Sequence, residues 1–156
     1  MPQKLSPRPL AFWLLIILLF FQGISATPAG LLLVLEPTGE RMQMPLTMLE
    51  GSPFPDYLIP GLILFVVLGL VAFFVMTCLF FLPDWHWAQR PNPFKAQHWA
   101  WTASAAFGLA LMIWIVVQVL TIGGGTLLQP LYFGVGLGIL LLTLTRSVRI
   151  YLRAAS

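Results

Sequence analysis

The stretch LIPGLILFVVLGLVAFFVMTCLFFL, residues 58–82, decides the fold class of this chain. It runs for 25 residues without an Asp, Glu, Lys or Arg. A helix rises about 1.5 Å per residue and the hydrocarbon core of a bilayer is about 30 Å thick, so this stretch is long enough to cross with some tilt. It therefore predicts a transmembrane helix.

The composition of the whole chain agrees with this prediction. Of the 156 residues, 59% are hydrophobic and only 8% are charged, against roughly 45–50% and 25% in soluble domains. A soluble fold of this size could not bury so much apolar surface, so lipid is expected to be the solvent for most of it. Residues 1–156 are expected to form a single membrane domain.

The charge and the cysteine count argue against nucleic-acid binding and against disulfide or zinc chemistry. The formal charge of +3 is small and no basic patch is interleaved with exposed aromatics, so no nucleic-acid partner is predicted. Cys78 is the only cysteine, which excludes an intrachain disulfide and any CxxC redox or zinc motif.

Three further apolar stretches predict helices over residues 10–26, 99–120 and 130–145. The fold class is therefore an all-α four-transmembrane-helix bundle. The first stretch also fits a signal peptide, because a basic start and an apolar run precede a small residue, Ala26. Ile24 fits an A-x-A cleavage site poorly, which favours an uncleaved helix.

Residues 27–57 form the one sizeable stretch that is neither a span nor a short turn. Residues 31–35 are apolar and β-compatible, residues 36–39 have turn chemistry, and residues 41–44 alternate like a return strand. Residues 45–50 can form one helical turn that starts at Pro45 and stops at Gly51, and Asp56 is a suitable N-cap for the next helix. We expect a small hairpin plus a helical turn that lies as a lid on the bundle.

Lys and Arg are distributed very unequally between the two sides of the predicted bundle. Seven of the eight fall in the N-terminus, the loop 83–98 and the C-terminal tail, and only Arg41 falls on the lid side. The positive-inside rule then places both termini and the loop 83–98 in the cytoplasm, and residues 27–57 outside it. The three tail residues Arg146, Arg149 and Arg153 are expected to lie among anionic headgroups.

The loop 83–98 carries the two histidines, His86 and His98, among tryptophans typical of an interfacial belt. They are weak candidates for cofactor binding, because haem or metal ligation would need both imidazoles brought together. No cofactor, metal site or catalytic residue is predicted.

Small residues predict where helices approach closely. Gly61 and Gly69 offer such places in the second helix. Gly134 and Gly138 form a small-xxx-small pair that could face the alanine-rich stretch 103–110. This pair predicts packing within one chain, with an oligomer interface as the alternative.

The chain resembles a family of small uncharacterised bacterial four-helix integral membrane proteins. The run LLLVLEPTGERMQMPLTMLEGSPFPDYLIPG (31–61), followed by WIVVQVL (114–120) and LQPLY (128–132), carries the resemblance, which extends over residues 30–153. The resemblance implies a bacterial inner-membrane location. It implies no activity and no functional residues.

Two functions remain open from the sequence. The first is a non-enzymatic interaction or accessory subunit that contacts another copy or a larger membrane complex through residues 27–57. The second is a membrane enzyme or carrier for a quinone or lipid, bound near the Trp/His belt. The spans hold no ionisable group between their ends, which favours recognition over catalysis. The candidates for partner contact are Glu36, Glu40, Arg41, Glu50 and Phe54.

Overall fold

A computed structural model of the protein describes residues 7–123 and 126–154. Three helices are long and apolar enough to cross a membrane, or four if a pair bent by 58° is counted as one span. The helices are α1 (Leu10–Leu35), α2 (Leu58–Phe81), α3 (His86–Gln89), α4 (Trp99–Ile122), α5 (Leu128–Leu144) and α6 (Arg146–Ala154). Two short 3₁₀ helices, Glu40–Met42 and Leu46–Leu49, lie between α1 and α2.

Helix α1 extends nine residues beyond Ala26 and contains Pro28. The strand expected over residues 31–35 is therefore wrong, and so is the hairpin, because the described part of the chain contains no strand. Proline removes one backbone donor, but ending a helix in an apolar setting leaves several carbonyls without partners. The added turns also pack well, since Gly30 and Leu33 are both buried.

Helices α1 and α2 approach backbone to backbone. A Cβ on Gly30 would overlap the backbone nitrogen of Phe65, and one on Gly69 would lie 3.0 Å from the Cα of Thr27. A Cβ on Gly61 would lie 2.7 Å from that of Leu33. The close approach predicted at Gly61 and Gly69 is thus confirmed.

The middle of α2, Ile63–Leu70, is a π-helix. Its wider turns change which backbone carbonyls find partners within the helix. The buried side chain of Gln22 on α1 donates from Nε2 to the carbonyl of Leu68 at 3.3 Å. This polar residue in the apolar bundle therefore forms a hydrogen bond between the two helices, as expected of polar groups at this depth.

Helices α4 and α5 meet at glycines other than the predicted pair. A Cβ on Gly108 would lie 2.9 Å from the carbonyl oxygen of Gly136, whereas one on Gly134 would meet nothing within 4 Å. Gly138 faces Leu18 of α1 instead. The predicted contact of Gly134 and Gly138 with α4 is therefore wrong, because Gly136, which lies between them, is the glycine that faces α4.

The two described ends of the chain lie at the same end of the bundle. The Arg8 guanidinium donates to the carbonyl of Phe80 at 2.8 Å and to the hydroxyl of Tyr151 at 3.3 Å. It also lies 4.1 Å from the centroid of the Phe80 ring. Arg8 thus joins α1 to the end of α2 and to α6, while residues 36–57 lie at the opposite end.

Candidate functional site

The segment between α1 and α2, residues 36–57, is called here the α1–α2 connection. It opens with the predicted turn, in which the Gly39 amide donates to the Glu36 carbonyl at 3.2 Å. Gly39 has a φ of +77°, and a Cβ there would lie 2.8 Å from the ring of Tyr57. Residues 40–42 form a 3₁₀ turn, not the expected strand, and the predicted helical turn is present as Leu46–Leu49.

Tyr57 holds the connection against the helices. Only 2% of its surface is exposed, and it packs with Leu33 of α1 and Leu49 of the second 3₁₀ turn. Its amide donates to the Pro37 carbonyl at 2.9 Å and its hydroxyl to the Pro45 carbonyl at 3.2 Å. Burial raises the pKa of Tyr57, so the hydroxyl keeps the proton that it donates.

A small cavity lies beneath the connection, with a volume of about 40 Å³. Its walls include Phe54 and Tyr57 from the connection and Trp114 and Gln118 from α4. The Trp114 Nε1–H is buried and has no hydrogen-bond partner. An apolar cavity of about 150 Å³ binds benzene, and this one is about a quarter of that volume, so it fits water or a small group better than a quinone ring.

The outer side of the connection combines apolar and acidic side chains. Leu46 is 43% exposed and Met48 is 46% exposed. Glu40 and Glu50 are exposed as well. The result is an apolar surface bordered by negative charge, at the end of the bundle where the described chain has one basic residue, Arg41.

The five predicted contact residues divide by their surroundings. Glu36 and Arg41 pair with each other, with Oε2 and Nε 2.8 Å apart. Phe54 is half-buried and lines the cavity. Glu40 and Glu50 are exposed, and neither side chain forms a hydrogen bond or ion pair with another described residue. The exposed Leu46 and Met48 are not among the five predicted residues, because nothing in the sequence pattern distinguishes them from the buried Leu49 in the same turn.

The two histidines have unrelated surroundings at the other end of the bundle. His98 is buried, and its Nδ1 accepts a hydrogen bond from the Ala100 amide at 3.2 Å, which caps α4. Burial lowers the pKa of His98, which favours the neutral ring that this cap requires. His86 is 86% exposed in its side chain and lies 4.0 Å from Asp84. Among the described residues, no group of three or more His, Cys, Asp or Glu could hold a metal ion.

Three tryptophans stack beside His98. The ring centroid of Trp85 lies 5.5 Å from that of Trp87 and 5.4 Å from that of Trp99, with the planes inclined by 20° and 10°. The Trp99 Nε1–H donates to the Pro83 carbonyl at 3.2 Å. The stack thus fixes the loop 83–98 on the start of α4.

No protein-family model, curated protein or solved structure was found to match this chain. A function must therefore be argued from its own residues and geometry.

Proposed function

We propose that the chain is a multi-pass protein of the bacterial inner membrane that serves as an interaction or accessory subunit. The contact surface is the outer side of the α1–α2 connection. The observation that carries this proposal is the combination of a connection held in place by Tyr57 with exposed Leu46 and Met48 on its outer side. A fixed surface loses little conformational entropy on binding.

The partner proposed is a different membrane protein with an apolar patch bordered by Lys or Arg. Glu40 and Glu50 would meet this basic border, and Leu46 and Met48 would fill the centre of the interface. A second copy of this chain suits the surface less well, because its own Glu40 and Glu50 would be brought near these like charges.

The proposed orientation places the connection outside the cytoplasm. Arg41 is the one described basic residue of the connection. The other described basic residues belong to the opposite end of the bundle: Arg8, Arg90, Lys95, Arg146, Arg149 and Arg153. The positive-inside rule then supports cytoplasmic termini. A fluorescent protein fused after residue 156 should fluoresce in the cytoplasm. A periplasmic phosphatase that is active in the same position would contradict this orientation.

The proposal includes an uncleaved first helix. Phe12, Leu15 and Leu19 are each 0% exposed, so cleavage after Ala26 would remove these side chains from the core. N-terminal sequencing of the purified protein is expected to find residues ahead of Thr27. A single start at Thr27 would remove this part of the proposal.

The partner surface can be tested by photo-crosslinking in living cells. A benzophenone amino acid at position 48 should give one adduct. The mass of this adduct should equal the mass of the chain plus the mass of one other protein. The same amino acid at Leu127, which is 88% exposed at the same end of the bundle, is the matched control and should not give this adduct. Glu40→Gln with Glu50→Gln should weaken the adduct several-fold.

Each other outcome has a definite meaning. Lipid adducts alone, or none, at position 48 would overturn the proposal. An adduct at twice the mass of the chain would assign the surface to a homo-oligomer instead. The ligand-carrier alternative has weaker support, because the cavity beneath the connection is small and lies at the end opposite the histidines.

A further inference from the structure

Helix α6 packs on the bundle through its apolar side chains and exposes basic ones. It is bent by 58° from α5. Val148, Tyr151 and Leu152 are buried against the bundle, whereas Arg146 and Arg149 are exposed. The apolar face of α6 is thus occupied by the bundle, and the exposed basic face is the part of the helix that can meet anionic headgroups.

The ring of Trp101 contacts both Arg149 and the exposed ring of Phe94. Trp101 is buried, and its Nε1–H donates to the Thr143 carbonyl at 2.7 Å, so its ring is held in place. The Arg149 guanidinium lies 5.8 Å from the centroid of this ring, and Phe94 contacts it edge-on at 5.3 Å. Phe94 is itself 53% exposed. Trp101 thus holds the cationic side chain of Arg149 and the apolar side chain of Phe94 near each other.

Two other basic groups at this end, those of Arg8 and Lys95, make contacts within the chain. The Arg8 guanidinium bonds to Phe80 and Tyr151 and lies on the Phe80 ring. The Lys95 ammonium donates to the Arg90 carbonyl at 2.6 Å. Arg146 and Arg149 are three residues apart on a helix, which places their Cβ atoms about 5–6 Å apart, so both can reach one phosphate.

We infer that Arg146, Arg149 and Phe94 form a binding site for the headgroup of an anionic phospholipid. The two guanidinium groups bind the phosphate through charge-assisted hydrogen bonds, and Phe94 enters the boundary between headgroups and acyl chains. Asp84 is the one acidic residue of the sequence at this end, so the surrounding field favours an anion. The site is independent of the partner surface on the α1–α2 connection.

The inference is tested by lipid titration of the full-length protein in a neutral detergent, followed by native mass spectrometry. Phosphatidylglycerol should be retained more tightly than phosphatidylcholine with the same acyl chains. Each basic side chain near an anionic surface contributes about 1 kcal/mol, so Arg146→Gln with Arg149→Gln should weaken phosphatidylglycerol binding roughly 30-fold. Both side chains are exposed, and unfolding curves without lipid should match those of the parent.

The matched control is Arg90→Gln with Lys95→Gln, which removes the same charge from the same end and should weaken binding far less. Equal weakening by both pairs would overturn the site, since only the overall charge would then matter. Equal retention of the two lipids would overturn it as well. Displacement of bound phosphatidylglycerol by millimolar glycerol phosphate would assign the site to a soluble phosphate rather than to a lipid.

Discussion

The contact between α4 and α5 gives a sharp test of the packing, through the substitution Gly108→Ala. The new methyl carbon would lie 2.9 Å from the carbonyl oxygen of Gly136 and 3.0 Å from the backbone nitrogen of Leu140. A Cβ essentially never lies closer than 3.0 Å to another heavy atom, and rarely closer than 3.4 Å. Both obstructing atoms belong to the backbone, so relief requires the two helices to move apart rather than one side chain to rotate.

The matched control is Gly134→Ala, because a Cβ at Gly134 meets nothing within 4 Å. Both substitutions replace glycine inside a helix and gain about 1 kcal/mol from helix propensity. The difference between the two variants therefore isolates overpacking, which typically costs about 1–3 kcal/mol. We expect Gly134→Ala to be at least as stable as the parent and Gly108→Ala to be less stable than Gly134→Ala by this amount.

The measurement is equilibrium unfolding in mixed micelles with a rising fraction of dodecyl sulfate, followed by tryptophan fluorescence. Equal free energies of unfolding for the two variants would refute the placement of Gly108 against α5. A destabilised Gly134→Ala beside an unaffected Gly108→Ala would instead support the contact predicted from the small-xxx-small pattern.

Three further predictions concern single polar contacts. Tyr57→Phe removes the bond to the Pro45 carbonyl, should cost about 1 kcal/mol and should speed amide exchange in residues 39–50; unchanged exchange would contradict the role of this tyrosine. Because burial lowers the pKa of His98 from 6.5, the unfolded chain binds the proton more readily, so stability should fall as the pH drops below about 6.5. His98→Asn keeps a capping oxygen and should remove this dependence; a variant with the same pH profile as the parent would exclude His98 as its source. Arg8→Lys keeps the charge but loses the fork that reaches the Phe80 carbonyl and should cost about 1–2 kcal/mol in the same unfolding assay; full stability would show that the charge alone suffices.

Local sequence signals predicted much of the helical framework. The long apolar stretch 58–82 gave α2 to within one residue, because few alternatives exist for so many apolar residues without charge. Asp56 Oδ1 accepts a hydrogen bond from the Leu58 amide at 2.9 Å, but Tyr57, and not the predicted Asp56, occupies the N-cap position of α2. Pro45 and Gly51 predicted the helical turn that is present as Leu46–Leu49, because the fixed φ of proline and the access of glycine to positive φ act locally.

The errors arose where contacts distant in sequence override local preference. The pair Thr27-Pro28 predicts a helix end, yet α1 continues through it because Gly30 packs on the backbone of α2. The π-helix in α2 has no local signature either. His98 was predicted to be a belt residue or a weak ligand candidate, whereas its capping bond to Ala100 forms at a buried position that the local sequence does not indicate. Which glycines face a neighbouring helix depends on helix rotation, and a spacing of four does not determine that rotation.

The proposed partner surface is expected to depend on helix packing, and Gly61→Ala tests this expectation. A Cβ on Gly61 would lie 2.7 Å from that of Leu33 and 3.1 Å from the backbone of Val34. Leu33 packs with Leu49 and Tyr57, so its displacement should disturb the base on which Met48 is held.

Crosslinking at position 48 should therefore fall in Gly61→Ala, although Gly61 is buried and cannot contact a partner. The variant that separates this effect from general loss of stability is Gly108→Ala, which strains α4 and α5 at a contact that includes no residue of the connection. Equal loss of crosslinking in the two variants, at equal stability, would mean that α1 and α2 do not position the surface. Loss confined to Gly61→Ala would mean that the recognition surface depends on the close approach of these two helices.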